Sequence, residues 1–177
     1  VVEVGEGVTK VKVGDPVVIE PILRCGTCPA CKKGKYNLCE NLGFHGLSGG
    51  GGGFSEYTVV DEYMVHKMPE GLSFEQGALV EPAAVALHAV RLSKIKPGDK
   101  AAVFGTGPIG LLVIEALKAA GAAEIYAIEV SEERLQKAKE LGATATINPK
   151  EEDPVQKLIE LTNGGVDVEF EVTGVPA

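Results

Sequence analysis

Two different rhythms of apolar and polar positions run along the chain, and one gives way to the other near residue 70. Before that point the apolar positions come in short β-branched runs. VVEVG and VVIEP read as strands, with Gly14-Asp15-Pro16 punctuating the turn between them, and FSEYTVV reads as another. Residues 1–68 are therefore expected to be β. Five consecutive glycines, Gly49 to Gly53, precede FSEYTVV. Strand-like runs flank them, so they read as a tight loop where backbones pass closely, not as a flexible linker.

The second rhythm alternates buried strands with helices. Ser73 and Gln76 make a capping box that opens a helical stretch running to about Arg91, with an interruption at Pro82. Lys96-Pro97-Gly98-Asp99 then turns the chain. AAVFG reads as a buried strand, and residues 108–120 as an apolar helix with Pro108 in its first turn and Gly121 past its end. EIYAIEV is the next strand, followed by a helix that Ser131 caps and Gly142 closes after Leu141. ATATIN, a helix from Asp153-Pro154 to Asn163-Gly164, and VDVEFEV complete the series. This alternation predicts an α/β fold with a parallel sheet covered by helices.

Composition bounds the function more than the fold. The 177 residues suffice for one domain or two small ones, and 45% hydrophobic with 24% charged residues is ordinary for a globular protein. A net charge of −8 without a long basic run argues against nucleic acid or a membrane surface as partner. No apolar stretch reaches transmembrane length, and the first residues lack a signal-peptide pattern. Clustered, reduced cysteines favour a cytoplasmic location.

All four cysteines, Cys25, Cys28, Cys31 and Cys39, fall in one stretch spaced C-x2-C-x2-C-x7-C. Such spacing is too tight to staple distant parts of a fold, but it can wrap one tetrahedral ion, and four thiolates suit zinc. Four protein ligands leave no open position, so the lobe reads as structural. Three other readings stand beside this one. An iron–sulfur run of the bacterial type would have its last cysteine after three residues and before a proline, whereas here the gap is seven and Glu40 follows. A disulfide framework belongs to small secreted domains, and a redox CxxC opens a helix in a βαβ setting, neither of which RCGTCPACKKGKYNLC resembles. Zinc fits the spacing best. Arg24, Lys32, Lys33 and Lys35 surround the cysteines, as suits a centre with a formal charge of about −2.

A second motif, Gly105-Thr106-Gly107-Pro108-Ile109-Gly110, is GxGxxG placed directly after an expected strand and opening an expected helix. Gly105 makes the tight turn, Gly107 lets a pyrophosphate approach, and Gly110 lets helix and strand pack. The helix start supplies N–H groups and a positive dipole end for the phosphates. Glu129 follows 19 residues after Gly110, at the end of the next strand. A carboxylate there accepts both ribose hydroxyls and repels a 2′-phosphate, which favours NAD over NADP. Ser131 reads as a helix cap within reach of the ribose.

Taken in order, the cysteine lobe, GGGFSEY, LVEPAAVALHAV and GTGPIG resemble the medium-chain zinc-dependent alcohol dehydrogenases over the whole chain. LGFHGL followed by GGGFSEY and LVEPAAVALHA is most similar to the butanediol and sorbitol-type (polyol) branch. The resemblance implies a partial GroES-like β domain over residues 1–80, holding a structural zinc in the lobe. A truncated Rossmann domain, its N-terminal part, would occupy residues 81–177. It implies hydride transfer between a secondary alcohol, diol or polyol and NAD, with a second, catalytic zinc and a homo-oligomer in full-length form. In this branch that zinc is held by an early cysteine and histidine and by a glutamate that aligns with Glu81. From its position alone Glu81 is also a plain helix-start carboxylate.

No complete catalytic set is expected within these residues. The cysteines are spent on the lobe, and His45, His66 and His88 stand in no Gly-His-Glu motif. His45 is expected to be structural or substrate-side, His66 exposed at a strand end, and His88 a satisfied core or interface residue. Val1 begins inside a strand-like run and Ala177 closely follows another, so the chain reads as an internal fragment, inactive alone. The edge of VDVEFEV is then expected to be covered by another chain or poorly ordered. An alternative of another class is a zinc-stabilised nucleotide-binding module without catalysis.

Overall fold

The computed structural model describes residues 1–48 and 51–174, in two units, Val1–Glu81 and Pro82–Ala177. Two of the five consecutive glycines, Gly49 and Gly50, thus lie outside the described residues.

The first unit is poorer in strand than its β-branched runs suggest. β1 (Val17–Ile19) pairs antiparallel with β4 (Val65–Lys67), bringing Val18 opposite His66. β2 (Ile22–Leu23) pairs antiparallel with β3 (Gly43–Phe44). VVEVG and FSEYTVV are not strands. A strand is defined by its ladder, and neither segment finds a partner strand among the described residues. Just beyond VVEVG, the amides of Thr9 and Lys10 donate to Glu62 Oε1, each at 2.6 Å. In FSEYTVV the side chains of Phe54, Tyr57 and Val59 are exposed, while Thr58 and Val60 are half-buried. The close passage expected at the glycines does occur at Gly52: a Cβ there would lie 3.0 Å from Gly46 Cα.

Four short helical segments complete this unit: α1 (Pro29–Lys32), the 3-10 turns Tyr36–Leu38 and Glu62–Met64, and α2 (Phe74–Ala78). The capping box is formed, with the Gln76 amide on Ser73 Oγ and the Ser73 amide on Gln76 Oε1. The helical stretch breaks at Leu79, not at Pro82. Pro82 lies in the first turn of α3 (Val80–Ser93), where the missing N–H has no intrahelical acceptor to lose.

The second unit follows its pattern closely. β5 (Lys100–Phe104), β6 (Glu124–Ile128), β7 (Ala145–Ile147) and β8 (Val168–Glu171) form one parallel sheet in the order β7-β6-β5-β8. The connecting helices are α4 (Pro108–Ala120), α5 (Glu132–Leu141) and α6 (Pro154–Thr162). Because side chains alternate along a strand, β5 feeds two cores. Ala101 and Val103 join Ala86, Val90, Val113, Ile114, Leu117 and Ala138 on one face, while Ala102 joins Tyr126, Ile147 and Leu158 on the other. Helices thus cover both faces, and the strand order reverses between β5 and β8, where such sheets open a crevice at their carboxyl ends. The outer edge of β8 carries no strand among the described residues, yet β8 itself is regular, registered from Ala101↔Val168 to Phe104↔Glu171. No described helix is long and apolar enough to cross a membrane.

Candidate metal centre and candidate dinucleotide site

The cysteine lobe is built by local turns that aim backbone amides at sulfur. Cys28 caps α1, its Sγ accepting from the Cys31 amide at 3.5 Å. Cys25 Sγ accepts from the amides of Cys28 at 3.3 Å and Thr27 at 3.5 Å. Cys39 Sγ accepts from Asn41 at 3.3 Å and from Cys25 at 3.4 Å. All four sulfurs lie within 4.8 Å of one another, and none is in a disulfide. The Cys25 and Cys39 sulfurs are 3.6 Å apart, close to the roughly 3.8 Å edge of a tetrahedron with ~2.3 Å zinc–sulfur bonds.

Electrostatics of the thiols point the same way. The Thr27 amide, helped by that of Cys28, holds the Cys25 thiol down at about 5. The Cys31 amide does the same, less strongly, for Cys28. Burial, with Cys28 beside it, pushes Cys31 up to about 12. Negative charge can therefore rest on part of the set, but four thiolates need a cation among them. The donors fit a closed tetrahedral zinc, with no position left for substrate. Of the basic residues around the lobe, Lys32, Lys33 and Lys35 are exposed. Arg24 is instead engaged, its guanidinium carbon 4.2 Å from the Tyr36 ring centroid and 4.4 Å from that of Tyr63. Both tyrosines escaped the sequence reading, since nothing in their spacing marks them.

The glycine loop follows β5 and ends in α4, at the point where the strand order reverses. Gly105 has φ +90°, and a Cβ there would crowd Thr173 at 2.9 Å. At Gly110 a Cβ would run into the Gly105 carbonyl, so loop and helix can close only on glycine. Gly107 is different: it caps α4, and a Cβ there would meet nothing within 4 Å. The space over Gly107 is open, as a cradle for a ligand requires. Pro108 occupies the first helical turn, so the amides of Ile109 and Gly110 begin the donor set of α4. Thr106 is fully buried, and its Oγ1 has no hydrogen-bond partner among the described residues.

Glu129 directly follows β6 and is buried. Its Oε2 accepts from the Thr106 amide at 3.1 Å, and its Oε1 from the amides of Val130 at 2.7 Å and Ser131 at 3.2 Å. Arg134 Nη1 lies 3.6 Å from Oε2. Burial alone would raise this carboxyl, but the three amides and Arg134 outweigh it and hold it below the ordinary carboxylate range. Ser131 does sit at the N-cap of α5, but its side chain makes no cap bond. Arg134 was not singled out from sequence. Its place on α5, five residues after an acidic strand end, is the signal that was there to be read.

The remaining candidates do not gather. Glu81 is exposed in the first turn of α3, and the cysteine set is the one metal-competent cluster among the described residues. His45 Nε2 lies 2.8 Å from Thr58 Oγ1, His66 is exposed 3.3 Å from Glu20, and His88 is exposed on α3 instead of joining the core. On α3 the core-facing positions are Ala86 and Val90, four residues apart on one face, and His88, two residues from each, falls on the opposite face.

Comparison with known proteins places both regions. Residues 1–70 match the family described as alcohol dehydrogenase GroES-like domain, and residues 108–177 match zinc-binding dehydrogenase. The chain is 65% identical over 176 residues to (R,R)-butanediol dehydrogenase of Bacillus subtilis strain 168, covering 99% of this chain and 50% of the relative. It is 42% identical to sorbitol dehydrogenase of the same organism, with 98% and 50% covered. A solved structure from Sinorhizobium meliloti 1021, assigned as a zinc-binding dehydrogenase and bound to NADP, superposes with a TM-score of 0.95 at 39% identity, over 99% of this chain and 52% of that one. The chain thus spans about half the length of the curated relatives it matches.

Proposed function

The chain belongs to the zinc-dependent alcohol dehydrogenase family, and on that premise we propose that it serves an NAD-linked oxidoreductase acting on a secondary alcohol, vicinal diol or polyol. The observation that carries this reading is the conjunction, in one chain, of a closed four-thiol centre and a glycine loop whose second residue is tied to Glu129. The high identity to a butanediol dehydrogenase supports the diol class.

The roles divide along the chain, with residues 1–80 as the GroES-like domain and 81–177 as the nucleotide domain. Cys25, Cys28, Cys31 and Cys39 hold a structural zinc that fixes the lobe. Gly105, Thr106, Gly107, Pro108, Ile109 and Gly110 cradle the pyrophosphate against the start of α4. The buried Thr106 hydroxyl, still unpartnered, is poised to serve that ligand. Glu129 offers its carboxylate to the adenosine ribose and keeps negative charge where a 2′-phosphate would sit, which selects NAD. Glu81 is the one residue here proposed to ligate a catalytic zinc. Such a zinc, when bound, polarises the alcohol oxygen and lowers its pKa. Within these 177 residues no thiolate remains to join Glu81, because all four are in the lobe. The isolated chain is therefore expected to bind zinc and cofactor without turnover. We read the full-length protein as cytoplasmic and homo-oligomeric.

Metal analysis combined with calorimetric titration of NAD and NADP tests the reading. About one zinc per chain and tighter binding of NAD than NADP are expected. Visible absorbance from iron, or no binding of either nucleotide, would overturn it. In full-length form, NAD reduction with 2,3-butanediol or sorbitol is expected, and nucleotide binding without any such turnover would favour the non-catalytic module.

A further inference from the structure

The Arg24 contact with two tyrosines has no part in the roles above. Arg24 directly precedes Cys25, and its guanidinium lies over the rings of both Tyr36 and Tyr63. Tyr36 belongs to the lobe: it opens the 3-10 turn that ends at Cys39, whose amide donates to the Tyr36 carbonyl at 3.0 Å. Tyr63 belongs to the second 3-10 turn, next to β4, outside the lobe. Its hydroxyl accepts from the Arg24 amide and donates to the Ile22 carbonyl, each at 3.3 Å. One planar cation therefore joins the first and last parts of the lobe to each other and to the strands beneath.

We propose that Arg24 is a positioning residue for the metal centre, holding Cys25 and Cys39 at ligand spacing by bridging Tyr36 and Tyr63. The proposal rests on the zinc reading above and deepens it. Arginine suits the task because its delocalised plane stacks on aromatic rings and stays charged at every working pH. Lysine would keep the charge and lose the plane. The two sulfurs in question are the pair found 3.6 Å apart, and the Cys25 amide already donates to Cys39 Sγ at 3.4 Å. Rings and guanidinium thus act on a contact that needs both ends held. The fixed positive charge also sits next to a centre that is negative when loaded.

Zinc affinity of the whole chain, measured by competition with a chromophoric chelator, tests this. Wild type is expected to take up one zinc. Arg24→Met and Arg24→Lys are both expected to weaken binding by about 10- to 100-fold, the range for groups that orient metal ligands. Tyr36→Leu is expected to do the same, while Tyr36→Phe, which keeps the ring, stays near wild type. In the cobalt-substituted protein, the d–d bands of Arg24→Lys should shift, a readout that a general loss of stability would leave alone. Arg24→Met binding zinc within twofold of wild type would overturn the proposal. So would Arg24→Lys matching wild type while Arg24→Met is weakened, since charge alone would then suffice. Should Arg24→Met fail to fold, Tyr36→Leu decides alone: affinity within twofold of wild type overturns the proposal. A wild-type chain that takes up no zinc would instead overturn the metal reading itself.

Discussion

The backbone amide of Thr106 donates to the carboxylate of Glu129 across 3.1 Å, joining the glycine loop to the end of the neighbouring strand. Both residues are buried, and the same carboxylate caps the start of the next connection through Val130 and Ser131. The group proposed to read the ribose thus also fixes the loop proposed to hold the pyrophosphate. Replacing Glu129 by Ala should leave three amides without that acceptor and cost ~1–3 kcal/mol of stability, the range for unsatisfied buried groups. It should also narrow the preference for NAD over NADP. Denaturant unfolding and paired nucleotide titrations measure the two effects, and an unchanged preference would separate Glu129 from cofactor choice.

The same carboxylate gives a pH signature. Its folded value lies below the ordinary one, so its contribution is complete above an unfolded pKa of about 4.3 and is lost as pH falls through the lower folded value. Wild type should exceed Glu129→Gln in stability near neutrality, and the gap should shrink only below about pH 4.3. Comparing the two chains cancels acid release of metal, which affects both. A gap that stays constant down to pH 3 would contradict the assignment.

The glycines of the loop should separate folding from binding. Gly110→Ala sets a methyl against the Gly105 carbonyl and should destabilise the unit by ~1–3 kcal/mol through overpacking. Gly107→Ala meets no protein atom within 4 Å, so the fold should be unaffected. The methyl would instead occupy the open space over the loop, weakening NAD by at least about tenfold, or 1.4 kcal/mol. Melting curves and NAD titrations on both variants would show the crossed pattern. Wild-type NAD affinity in Gly107→Ala would place the pyrophosphate elsewhere.

How far the sequence could be read depended on where each segment finds its partners. In the second unit every strand is flanked by its own helix and turn residues. Gly121, Gly142 and Asn163 close helices with positive φ where the pattern expects stops. Local signals and tertiary fold agree there. In the first unit VVEVG and FSEYTVV carry strand propensity, but a strand also needs a ladder partner that propensity does not supply. The candidate site shows the same contrast. Cysteine spacing and GxGxxG are local and could be read directly. The Thr106–Glu129 bond and the Arg24–Tyr63 contact join residues 23 and 39 positions apart, and only folding brings such pairs together.

Metal removal should open the lobe, because it has little apolar core of its own. Residues 25–39 contain one helical turn and one 3-10 turn and bury Cys28 and Cys39 as their apolar core, both of them proposed ligands. Without the ion these sulfurs would keep their amide donors but lose the charge that lets all four ionise together. Chelation should therefore open the lobe, and trypsin should then cut at the exposed Lys32, Lys33 and Lys35 far faster than in the zinc-loaded chain. Lysines on α4 and α5 such as Lys118 and Lys139 should keep their resistance, since the parallel sheet and its two cores do not draw on the cysteines. Mass spectrometry of the first fragments distinguishes the outcomes. Equal cleavage at 32–35 with and without zinc would mean that the turns alone hold the lobe. The sulfur-directed amides, not the metal, would then be its main support.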